Sequence, residues 1–226
     1  MLLLAKGKIM LKNLALCALL AVSTQSKADD YLLYFMGGQS NMEGFGFNKD
    51  LPAQYKKPVE NTLLFFGNPV ADNTKINQWD NFQTTVRAAL ANNDIDGDGE
   101  ADTLVPAGII WMQGEADAYH EQASKVYLAN LTNLMNDMKM TFGNKELPII
   151  LGRIEDSGKT PQTRMMPYIE SVWDAQKKYV QSNANAHLVA FDEPVEFIED
   201  KWHYKSNYYI KLGNLFAEKA AETLAK

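Results

Sequence analysis

Cysteine is almost missing. The 226-residue chain has one, Cys17, so an internal disulfide and a multi-thiolate metal site are both excluded, and so is a cysteine nucleophile anywhere beyond it. Positive charge is also scarce. There are 22 Lys and Arg against 28 Asp and Glu, a net charge of −6. The four lysines of residues 1–28, with no acid among them, leave 18 basic and 28 acidic side chains in the rest, a net −10. Gripping phosphate backbones requires clustered Lys and Arg, so a nucleic-acid partner is not expected, nor is attraction to anionic lipid. No apolar run approaches the ~20 residues that span a bilayer, so no transmembrane segment is expected. Repeats and low-complexity tracts are missing as well. What remains is globular in composition, 46% hydrophobic and 22% charged, with a length suited to one sizeable domain.

Residues 1–28 read as an export leader. Lys6, Lys8 and Lys12 form a basic start, residues 14–22 are apolar, and Ser26-Lys27-Ala28 ends in small residues. That order is what a signal peptidase recognises. The expectation is a signal peptide over 1–28, a single domain over 29–226, and a secreted or periplasmic product.

Beyond the leader, short apolar runs alternate with helical periodicity. Strands are expected at 31–36, 62–66, 105–112, 147–151 and 187–191. Helices are expected at 83–91, 119–142, 166–180 and 206–224. The long one carries Val126, Leu128, Leu131, Leu134, Met135 and Met138 at threes and fours, and Gly143-Asn144 suits its C-terminal cap. The last carries Tyr209, Leu212, Phe216 and Ala220 on one stripe. Alternation of this kind predicts an α/β fold with a five-stranded parallel sheet. In such sheets chemistry collects in the loops at the carboxyl ends of strands.

Three segments occupy those loops. Gly37-Gly38-Gln39-Ser40-Asn41-Met42 follows the first run, and its glycines permit a sharp turn that exposes a serine hydroxyl. Trp111-Met112-Gln113-Gly114-Glu115-Ala116-Asp117 follows the third. There the Gln113 amide offers an oxyanion donor and Glu115 an acceptor. Asp200-Lys201-Trp202-His203 follows the fifth. A serine nucleophile needs an imidazole base, and the base needs a partner to fix its tautomer. His120 and His187 read as structural or surface residues.

Together GQSNM, WMQGEAD and DKWHY followed by LGNLFAEKA resemble the SGNH-hydrolase superfamily. The resemblance, to its sialate O-acetylesterase and acetylxylan-esterase-like branch, runs from about Asp30 to the C-terminus. It implies a three-layer α/β/α sandwich of flavodoxin-like type. It places the nucleophile on Ser40 and the catalytic pair on Asp200 and His203. Gln113, Glu115, Gly38 and Asn41 fall at oxyanion or supporting positions, and Gln39 and Trp202 at substrate-binding ones. The Gly-Pro-Glu segment that relatives carry is lacking. Residues 84–103 stand in its place, and Gly67, after the second apolar run, is the candidate substitute. The implied work is removal of O-acetyl groups from a carbohydrate, acetylxylan or sialate, with no cofactor required. A broad short-chain ester hydrolase, lipase or thioesterase, or a catalytically weak carbohydrate-binding homologue, are the alternatives.

One further motif stands apart. Asp94, Asp96, Asp98, Glu100 and Asp102, with Gly97 between them, follow the order of the first half of an EF-hand calcium loop. Position 12 is Val105 rather than Glu. Two readings stand for this insertion over 94–105, a structural calcium site or a solvated acidic turn.

Overall fold

Residues 107–112, Ala-Gly-Ile-Ile-Trp-Met, alternate with nothing: they are apolar on both sides of the chain. A strand of that kind is stable only with both of its faces covered. In the computed structural model, which describes residues 2–6 (backbone only), 29–57, 59–65 and 78–225, this segment ends strand β4 (Thr103–Met112). Ile109 and Met112 have no exposed surface.

The chain divides into two compact units, although the sequence shows no composition shift between them. One comprises residues 34–59 and 107–226, the other residues 1–33 and 60–106.

In the larger unit the end of β2 (Asp30–Gly38), β4, β5 (Ile149–Gly152) and β6 (Ala186–Val189) stand side by side in that order. These are four parallel strands. Ile109, Ile110 and Trp111 pair with Ile149, Ile150 and Leu151, which in turn pair with Ala186, His187 and Leu188. Short α1 (Ser40–Glu43) follows β2. Helices α3 (Glu115–Tyr119) and α4 (Glu121–Thr141) connect β4 to β5, α5 (Ile169–Gln181) connects β5 to β6, and α6 (Ser206–Leu224) closes the chain.

The long helix expected over 119–142 starts later. His120 is extended, with φ −112° and ψ 123°, and separates α3 from α4. The buried stripe of α4 is Tyr127, Leu131, Met135 and Met138, whereas Val126 lies outside it and is half exposed. At its end Gly143 takes φ +67°, and the N–H groups of Gly143 and Asn144 return to the carbonyls of Met140 and Lys139. This is the glycine-terminated cap expected there. In α6 the buried residues are Tyr208, Leu212 and Phe216. Tyr208, not Tyr209, occupies that stripe, which frees Tyr209 for another task.

The smaller unit holds β1 (Leu2–Lys6), β3 (Thr62–Phe65), the start of β2 and α2 (Gln78–Leu90). Thr62–Phe65, expected in the parallel sheet, instead pairs antiparallel with Leu2–Lys6. The four-residue strand is only half buried, and a strand open on one face suits antiparallel pairing better than a parallel interior. Residues 7–28 of the expected leader, and Gly67, lie outside the described residues. α2 begins earlier than expected and buries Phe82, Val86 and Ala89 along one side.

Candidate active site

The site grows out of the end of β2, within the larger unit. Gly38 lies against the last carbonyl of β4. A Cβ built on it would fall 1.8 Å from the Met112 oxygen, so no other residue fits without parting the two segments. The next N–H, of Gln39, donates to that same oxygen at 3.0 Å. The chain then turns into α1, and Ser40 is the first residue of its first turn, where backbone N–H groups have no partner inside the helix.

His203 comes from the loop between β6 and α6, held in a turn built around one carboxylate. Asp200 Oδ1 accepts from the N–H groups of Trp202 at 2.8 Å and His203 at 2.9 Å. Its other oxygen, Oδ2, lies 2.6 Å from His203 Nδ1. With Nδ1 protonated and donating to Asp200, Nε2 is left as the acceptor. It lies 2.8 Å from Ser40 Oγ, close enough to take the hydroxyl proton. The Phe45 ring stacks on the imidazole, with centroids 3.8 Å apart and planes 11° from parallel. Thus Ser40, His203 and Asp200 form one hydrogen-bonded chain from hydroxyl to carboxylate, the geometry of an activated serine.

The residues expected beside the triad are placed as follows. Glu115 is buried, yet it makes no bond to His203. Its Oε1 accepts from Asn41 Nδ2 at 3.0 Å. The imidazole partner is therefore Asp200. Asn41 is 2% exposed, so its side chain faces the interior and not an oxyanion. Gln113 is also committed. Its Nε2 donates to Gln39 Oε1 at 3.0 Å and to Asp117 Oδ2 at 2.5 Å. Both amide protons are taken, and the expected oxyanion donation is not available from this arrangement. Gln39 Oε1 also accepts from the N–H groups of Gly114 and Ala116, which ties the turn carrying Ser40 to the start of α3. Trp202 sits beside Tyr119, with ring centroids 5.7 Å apart, and Tyr119 is half exposed.

Asp117, Tyr127, Tyr204 and Tyr209 belong to this network; Asp117 and Tyr204 lie in the quoted motifs with no role assigned, and Tyr127 and Tyr209 lie outside them. The Tyr127 hydroxyl donates to the Gln113 carbonyl at 2.7 Å. Tyr209 donates to Asn41 Oδ1 at 3.0 Å. The buried stripe of α4 hides Tyr127, because its ring obeys the helical period while its hydroxyl serves the site.

In the smaller unit, oxygens of Asp94, Asp96 and Asp102 lie within 4.8 Å of one another. Three carboxylates suit a hard cation. Asp98 and Glu100 are not in the group. Asp98 accepts the N–H of Glu100, and Asp94 the N–H groups of Gly97 and Gly99. Asp102 accepts from Asp29 and Ile95. Calcium or a solvated turn thus both remain compatible with the sequence motif.

A family model for "Carbohydrate esterase, sialic acid-specific acetylesterase" matches residues 69–222, about two thirds of the chain. The protein belongs to this SGNH-like carbohydrate esterase family. Ser40 precedes the matched span and enters the site through its geometry. No curated protein matches. Among solved structures, a protein from Arabidopsis thaliana is 20% identical with a TM-score of 0.48, covering 63% of this chain and 52% of its own. NanS is 14% identical with a TM-score of 0.47, covering 65% and 53%. The chain thus spans about half the length of either.

The two carboxylates have opposite electrostatics. Burial pushes the Glu115 carboxyl up, more than the Asn41 amide, the nearby N–H groups and His203 pull it down. At Asp200 slight burial raises the carboxyl, but the His203 ring and the N–H groups of His203 and Trp202 outweigh it and hold it below its ordinary range.

Two outcomes follow. Gly38→Ala should remove activity by at least about 10²-fold, because a 1 Å shift of a reacting group has that effect; near-normal turnover by the folded variant would contradict the contact. Glu115 binds its proton more tightly folded than unfolded, so its contribution to stability is full below the unfolded value and is lost as pH rises through the folded one. Melting curves should therefore show the Tm of Glu115→Gln rising relative to the parent as pH climbs from the ordinary glutamate range of about 4. A constant difference would count against the burial.

Proposed function

We propose that this protein is an exported serine esterase that removes O-acetyl groups from a carbohydrate through an acyl-enzyme. The observation that carries the reading is the Ser40–His203–Asp200 chain of hydrogen bonds at 2.8 and 2.6 Å. His203 Nε2 takes the proton as Ser40 Oγ attacks the acetyl carbonyl. The developing oxyanion is met by backbone N–H groups of the first turn of α1, at Ser40 and Asn41. His203 then gives its proton to the sugar oxygen as that bond breaks, leaving acetyl on Ser40. Water, deprotonated by His203, repeats the attack and releases acetate. Asp200 keeps the tautomer and balances the imidazolium. No metal or organic cofactor enters these steps; calcium, if held at the 94–102 turn, would serve structure.

The finer identity of the sugar, sialate or acetylxylan, belongs to the same proposal. The exposed Tyr119 beside Trp202 supports a sugar ring as the alcohol, since aromatic faces pack well on sugar C–H groups. The resemblance supports completion of the sheet into a flavodoxin-like three-layer sandwich. Export is proposed from the leader. Cleavage after Ala28 would take Leu2–Lys6 away and leave Thr62–Phe65 without its antiparallel neighbour.

Hydrolysis of p-nitrophenyl acetate, O-acetylated sialic acid and acetylxylan tests the mechanism and the substrate together. Ser40→Ala and His203→Ala should each lower kcat at least about 10³-fold. Retention of a tenth of the activity by either folded variant would sink the serine mechanism. Turnover of every short ester with no preference for sugars would leave a general ester hydrolase. For export, N-terminal sequencing of protein recovered outside the cytoplasm should begin at Asp29; an intact Met1 there would contradict cleavage.

A further inference from the structure

The turn that carries His203 is held to itself by Asp200, but Asp200 lies in that same turn. It fixes the imidazole within its loop and says nothing of where the loop stands against Ser40. The Ser40–His203 bond cannot do this alone, because it breaks and re-forms in every cycle of the proposed reaction. Phe45 covers the ring, but stacking has little directionality.

Asn41 supplies directional ties. Its backbone adjoins the nucleophile, and its side chain grips the residues on either side of His203. Nδ2 donates to the Trp202 carbonyl at 3.1 Å, and Oδ1 accepts from the Tyr204 N–H at 3.4 Å. The remaining capacity is used as well. Nδ2 also donates to Glu115 Oε1 at 3.0 Å, and Oδ1 also accepts from the Tyr209 hydroxyl at 3.0 Å. Two donors and two acceptors are all that an amide has, and here every one is engaged in a residue 2% exposed.

The amide can face only one way. Rotated by half a turn, it would place oxygen against the Glu115 carboxyl and the Trp202 carbonyl, and NH₂ against two other donors. Buried polar groups left facing their own kind are costly. Glu115 therefore selects the orientation in which Asn41 can hold both flanks of His203.

We propose that Asn41 is the positioning residue that sets the distance between Ser40 Oγ and His203 Nε2, and that Glu115 orients its amide. The proposal rests on the reading of Ser40 and His203 as nucleophile and base.

The test uses the full chain with p-nitrophenyl acetate, at a temperature well below each variant's melting point. Asn41→Asp keeps both acceptors and the shape but turns the donors into an acceptor facing Glu115 and the Trp202 carbonyl. It should lower kcat about 10²-fold, the effect of a reacting group displaced by ~1 Å, with KM within about threefold. Adding Glu115→Gln returns a donor across the pair and should restore kcat at least about tenfold. A proton resonance of His203 Nδ1–H bonded to Asp200 should persist in these variants, since that bond lies within one turn. General loosening of the protein would erase that signal and would not be reversed by the second substitution. Should Asn41→Asp not fold, Tyr209→Phe removes one of the four bonds and keeps the ring; kcat should fall severalfold at unchanged KM.

Parental kcat in Asn41→Asp, or in Tyr209→Phe if that variant is the only one to fold, would overturn the positioning role while Ser40→Ala stays inactive. No recovery in the double variant would overturn the role of Glu115. If Ser40→Ala retains parental activity, the nucleophile reading itself fails and this proposal falls with it.

Discussion

The site depends on how closely the end of β2 lies against the end of β4. With no side chain at Gly38, the Met112 carbonyl can occupy the space that a Cβ would fill and still accept the Gln39 N–H. That contact sets the turn carrying Ser40 beside the residues that follow β4. Gln39 then reaches Gly114 and Ala116, and Asn41 reaches Glu115, along the same seam. The geometry of the candidate site is thus a consequence of strand spacing before it is a matter of side-chain chemistry.

Two acidic residues near one imidazole have been given separate work by their surroundings. Asp200 has a side chain 41% exposed and is surrounded by three donors, so it stays charged and can balance a cation. Glu115 is shut away from water and holds an amide. The contrast follows from desolvation against hydrogen bonding, the two influences that shift a carboxyl in opposite directions. Charge where the proposed mechanism moves a proton and a quiet interior where the loop is held is a division that any rearrangement of the two residues would upset.

Much of the larger unit was legible in sequence because its signals are local. Fully apolar runs at 107–112 and 149–151 cannot be anything but buried strands or helix cores, and their length chose strands. Ser40, Asp200 and His203 were legible because glycines before the serine and a three-residue spacing to the histidine are short-range features. The pairing of Thr62–Phe65 was not, since strand partners are fixed by contacts far apart in the chain. The engagement of Gln113 was not either. An amide after a strand looks free until Asp117, one helical turn further on, and Gln39, 74 residues earlier, are seen to take its protons. The same holds for Tyr209, displaced by one position from the stripe to which it was assigned.

His203 has little of its surface left open. One ring face lies under Phe45, Nδ1 faces Asp200, and Nε2 faces Ser40. In the proposed reaction both halves of the cycle therefore pass through a single narrow approach at Nε2. The departing alcohol and the incoming water compete for one place and must use it in turn. A sugar slow to leave would shield the acetylated serine from water and hold it for return to a hydroxyl. Ordered traffic at one edge of one ring would thus govern how far such an enzyme hydrolyses and how far it hands its acetyl group back.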